Sequence, residues 1–133
     1  MKKIPLSANH RRSVSSSLLL VEKYVNEIEQ KLSNPSKLTM YQIANNVDEQ
    51  RISNCMLIAK EIKVYIGESA KKYSLTPSEV DIQRVISSKK AAMWEILCDT
   101  NSSRLKGFGL FPVEIADEFD SDIERLQKMV EEI

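Results

Sequence analysis

Apolar residues recur every three or four positions along most of this chain. Val14, Leu18, Val21, Val25, Ile28 and Leu32 step by four and three in turn, which lays one continuous apolar seam along a helix. The spacing predicts a first helix over residues 13–33. Asn34-Pro35-Ser36 should stop it, because proline lacks the backbone donor that a helix interior needs. A second seam follows in Ile52, Cys55, Ala59, Ile62, Ile66, Ala70 and Tyr73, inside a helical region over residues 39–73. Ile58 and Tyr65 widen that seam, which implies cover on more than one side. Run without a break, this helix would be about 50 Å long. Asn45-Asn46-Val47-Asp48 combines poor helix formers with good caps, so a break or kink is expected near 45–48. Gly67, inside the seam, is expected to allow close approach of a neighbouring helix.

Thr76-Pro77-Ser78-Glu79 reads as a helix start. The threonine can cap, the proline suits the first helical position, and the glutamate can reach back to the cap. The third helix is therefore placed at 77–99, with Ile82, Val85, Ile86, Met93, Ile96 and Leu97 turned to a core and Thr100-Asn101-Ser102-Ser103 as its exit. A last helix over 112–132 carries Ala116, Phe119, Ile123, Leu126, Val130 and Ile133 at helical spacing. No stretch alternates apolar and polar residues in the manner of a strand. The expected fold is all-α, an antiparallel four-helix bundle. Residues 1–12 are expected to form a flexible basic arm and 13–133 a single domain.

Composition adds three points. At 133 residues the chain suits one domain. Its formal charge is balanced but segregated: Lys2, Lys3, Arg11 and Arg12 precede the first acidic residue, Glu22, while Glu114, Asp117, Glu118, Asp120, Asp122, Glu124, Glu131 and Glu132 crowd the last helix. Such ends can attract each other within or between chains. Two cysteines, Cys55 and Cys98, are too few for a disulfide framework and suit buried free thiols in a reducing compartment. The Leu18-Leu19-Leu20-Val21 run is too short for a signal-peptide core, and no segment approaches the roughly 20 apolar residues of a membrane helix. A soluble cytoplasmic protein with no membrane contact is expected.

Catalytic constellations do not emerge. The one histidine, His10, lies in the basic arm, so a Ser-His-Asp or Cys-His site would require that arm to fold back. Zinc-ligand spacing, the Glu-x-x-His pairs of di-iron bundles and a phosphate loop are all missing from the sequence. Gly107-x-Gly109 lacks the strand and third glycine of a dinucleotide site. The reading is a non-enzyme with no cofactor. A helix-turn-helix squeezed into 76–97, with Lys89, Lys90 and Trp94 on the recognition helix, lacks the turn glycine, and the apolar pattern runs through Ser87-Ser88 unbroken. Balanced charge also speaks against a large phosphate footprint.

The most irregular stretch is Lys106-Gly107-Phe108-Gly109-Leu110-Phe111-Pro112, which holds two of three glycines and two of three phenylalanines. Its aromatics can plug the end of a bundle or form an interaction loop through Lys106, Phe108 and Phe111. Trp94 is a candidate interface anchor. The function expected is an adaptor or regulatory module for protein–protein interaction, working through helix–helix contacts and forming a homodimer. The alternative is a weak nucleic-acid-binding regulator using the basic arm with Lys89 and Lys90.

Overall fold

A computed structural model describes residues 3–33 and 38–133; the expected helix stop at Asn34-Pro35-Ser36 and Lys2 of the basic arm lie outside them. The fold is all-helical, with five α-helices and no strand among the described residues. The chain divides into two compact units, Met1–Ser78 and Glu79–Ile133.

The first unit pairs α1 (Ala8–Ser33) with α2 (Glu49–Lys72). The helix α1 starts earlier than its apolar seam. The Ser7 hydroxyl accepts the His10 amide at 3.1 Å, so the cap sits at Ser7 and residues 8–12 of the expected arm form helix. Ahead of it, the Ile4 amide donates to the Lys72 carbonyl at 2.9 Å, which ties the segment to the end of α2. The expected helix over 39–48 does not form. Asp48 caps α2 by accepting the Arg51 amide at 2.8 Å, so the polar run at 45–48 is a boundary, not a kink.

The exit of α2 is a Schellman turn: Leu75 N–H reaches the Ala70 carbonyl at 2.8 Å and Ser74 N–H the Lys71 carbonyl at 3.4 Å. Ser74 takes the left-handed conformation at φ 54°, a position that favours glycine. Gly67 does not serve a close approach. A Cβ built there meets nothing within 4 Å.

The second unit pairs α3 (Ile82–Cys98) with α5 (Val113–Glu131), joined by the short α4 (Ser102–Leu105) and a 3-10 turn over Lys106–Phe108. The Thr76-Pro77-Ser78-Glu79 signature is not used. Asp81 caps α3 instead, accepting the Gln83 and Arg84 amides at 3.0 and 3.4 Å. A carboxylate that takes two amides at the positive end of a helix outcompetes a threonine hydroxyl. The expected exit at 100–103 itself contains the start of α4, where Asn101 accepts the Arg104 amide at 2.9 Å. The last helix lies within one residue of its expected limits.

Candidate interaction site

The glycine-aromatic stretch splits in two. Phe111 folds onto Phe119 of α5, with ring centroids 5.1 Å apart and planes tilted by 51°. Phe108, by contrast, is 92% exposed, and Leu110 is fully exposed. Gly109 turns the chain between them at φ 131°, a conformation that penalises any side chain, and its amide returns to the Lys106 carbonyl at 3.2 Å. The expected loop therefore divides into a structural half, Phe111, and a free apolar tip, Phe108 and Leu110, beside the exposed Lys106.

Trp94 is partly exposed and donates its indole N–H to Glu131 Oε1 at 3.3 Å, at the far end of the α3–α5 pair. Next to it, the Lys90 ammonium donates to the backbone oxygens of Glu131 (2.6 Å) and Ile133 (3.3 Å). A cation over the last carbonyls of a helix complements its negative end. Lys90 is thus committed to α5, while Lys89 is exposed.

At the other end of the pair, Ser102 is buried. Its amide and hydroxyl donate to Asp120 Oδ1 and Oδ2 at 2.7 and 2.6 Å. The Ser102 hydroxyl, followed by its amide, holds the Asp120 carboxyl below the usual carboxylate range. This pair closes one end of a shallow groove lined by Cys98, Asn101, Ile123 and Gln127, where Gln127 Nε2 donates to Cys98 Sγ at 3.4 Å. With the hydroxyl already donating to a carboxylate, the arrangement braces α4 against α5. Among the described residues no group of three or more His, Cys, Asp or Glu could hold a metal ion, and no helix is long and apolar enough to cross a membrane.

The larger feature is what the helix pairs leave uncovered. Among the described residues, only Val25, Ala59 and Ile123 are buried apolar side chains. In α1 the expected seam is rotated: Val25 is buried and Val14, Leu18 and Leu32 are half-buried, but Val21 and Ile28 are exposed. In α3 only Met93 and Leu97 of the expected core residues are half-buried; Ile82 and Ile96 are about two-thirds exposed. On α5, Leu126 and Ile133 are exposed. The seam on α2 holds throughout, yet Ile58 and Tyr65, the residues that widen it, are also exposed.

These exposed residues are not scattered. Each residue turns an α-helix by about 100°. Val21, Ile28 and Tyr24 therefore lie to one side of Val25, and the exposed Ile58 and Tyr65, with the half-buried Ile62, lie in the same rotational sense from Ala59. On two antiparallel helices that face each other, equal senses fall on the same face of the pair. The opposite side carries the ion pair of Lys63 with Glu29 and the bond from Lys63 to Asn26 Oδ1 at 3.4 Å, with exposed Val64 and Leu57 farther round α2. Tyr24 was absent from the expected seam, although its spacing from Val21 and Ile28 is helical and could have marked it.

No family model, curated protein or solved structure matches this chain.

Proposed function

We propose that this protein is a non-catalytic helical interaction module, an adaptor or regulator that works through helix–helix contacts and associates with itself as a homodimer. In that assembly paired hairpins complete an antiparallel four-helix bundle. The observation that carries this reading is the contrast between three buried apolar side chains and the aligned, exposed ones on the helix faces. A two-helix hairpin covers only one stripe of each helix, and contiguous uncovered apolar surface marks an association site. Two free, half-buried thiols suit a reducing cytoplasm. The Phe108–Leu110 tip offers a separate contact for a protein partner, with Lys106 at its rim.

Light scattering at micromolar concentration tests the reading. A mass twice 15.2 kDa is expected, and a mass of 15.2 kDa overturns self-association. Phe108→Ala should leave thermal stability unchanged, since the ring is almost wholly exposed. A large stability loss would remove the recognition role of the tip.

A further inference from the structure

The apolar face of the α1–α2 hairpin has the composition and register of a two-fold interface. We infer that it is the surface on which two copies of this chain meet, an inference that rests on the self-association proposed above. Asn26 and Glu29 lie opposite Lys63, and Glu22 flanks Ile66 and Gly67, so the antiparallel register of the pair is fixed. In that register Tyr24 comes level with Tyr65, and Ile28 level with Ile62. The face thus has an aromatic row beside an isoleucine row, with Val21 and Ile58 outside them and Lys31, which pairs with Glu27, at its edge level with Ile58.

A two-fold axis running along the hairpin keeps every residue at its own level and exchanges α1 with α2. It sets Tyr24 of one copy on Tyr65 of the other, and Ile28 on Ile62. Like rows meet like rows, and every helix is antiparallel to its neighbours. Self-pairing is unfavourable for a face that carries a net charge, and here the one bordering cation, Lys31, is already paired with Glu27 on its own helix. At its rim Glu61, which has no ion-pair partner among the described residues, comes within about one helical turn of the other copy's Lys31.

The area is of the right size. Tyr24 and Tyr65 are 62% and 71% exposed, and Val21, Ile28 and Ile58 about half. With about 150–250 Å² for each aromatic side chain and less for the aliphatic ones, the face offers on the order of 500 Å² of apolar surface. A standard interface buries roughly 800 Å² on each partner, and the polar rim supplies the rest.

The test uses the full chain, with sedimentation for mass and circular dichroism for helix content. Tyr24→Glu and Tyr65→Lys should each weaken dimerisation by about 100-fold or more while helix content stays constant, because both rings are exposed within the hairpin. An equimolar mixture of the two variants should recover the dimer, since glutamate on one copy then faces lysine on the other. Met129→Lys, on the exposed side of α5, should leave the dimer intact. A monomeric wild type overturns both the self-association and this interface. A dimeric wild type whose tyrosine variants remain dimeric, or whose Met129→Lys variant dissociates, overturns the interface alone. Failure of the mixture to re-form a dimer overturns the two-fold register.

Discussion

The two helix pairs are stabilised in different ways. The α1–α2 pair is long, with helices of 26 and 24 residues, and among the described residues its ordered cross-links are few: one ion pair, one weak hydrogen bond and the Ile4–Lys72 backbone tie. The α3–α5 pair is shorter, at 17 and 19 residues, and is fastened by polar bonds at both ends, through Ser102–Asp120, Gln127–Cys98, Trp94–Glu131 and Lys90 over the end of α5. Neither buries a large core. The short pair gains orientation from directional bonds, while the long pair depends on extended apolar contact and leaves a mostly apolar side uncovered. A mostly apolar face is suited to a second apolar surface, and a hairpin already pinned at its ends is suited to presenting a loop.

Four substitutions probe this difference, the most disruptive first. Ile123→Ala removes the one buried apolar side chain of the α3–α5 pair and should cost about 3 kcal/mol. Trp94, the only tryptophan, sits in the same pair, so urea unfolding followed by its fluorescence reads the loss directly. Ala59→Leu overfills the tightest position between α1 and α2 and should cost about 2 kcal/mol, seen as an earlier transition in far-UV circular dichroism. A smaller effect on Trp94 fluorescence than on circular dichroism would show that the pairs respond separately.

Ser102→Ala tests the polar fastening through pH. Asp120 has a lowered pKa in the folded state, so its contribution to stability is present above the ordinary carboxylate pKa and is lost as pH falls through the lowered folded value. Without the serine hydroxyl that shift shrinks. The variant should be less stable than wild type at pH 7, and the two should converge in acid, near the lowered value and below. A constant gap across pH would mean that the bond acts by packing rather than through the Asp120 charge. The smallest change is expected from Ser74→Gly, which relieves the left-handed strain at the exit of α2 but adds freedom to the unfolded chain; a net gain of about 0.5 kcal/mol should appear in the thermal midpoint.

Much of the helical order was legible in the sequence, and the failures have physical causes. The seam on α2 and the limits of α5 follow from apolar periodicity, which is strongest over long amphipathic stretches. Between Ala8 and Val14 α1 carries no apolar residue, so periodicity has little to register in its first turns and the Ser7 cap marks them. At Thr76–Asp81 two competing caps stand five residues apart, and the pattern cannot rank them; the carboxylate takes the helix. The run at 45–48 breaks the helical region by starting α2 at Asp48 rather than by kinking a longer helix. Capping residues can interrupt a helix or begin one, and no apolar residue before Val47 continues the seam of α2 backwards at helical spacing with enough regularity to decide. Of the candidate loop, the sequence marked the aromatics but could not divide them: Phe111 finds Phe119 eight residues on, while Phe108 does not. The Ser102–Asp120 bond spans 18 residues and exists only once the helices pair, so no local signal announces it.

In both units the paired helices follow one another closely in sequence, α2 after α1 and, past one short helix, α5 after α3. That ordering sets a timescale. Contacts between near neighbours need little loop closure, and helical proteins built from them fold within about microseconds to milliseconds. During synthesis at about 5–20 residues per second, the α1–α2 pair can form while the rest of the chain is still being made. Its tyrosine row then stands complete, and open to another nascent or finished copy, for seconds before α5 exists.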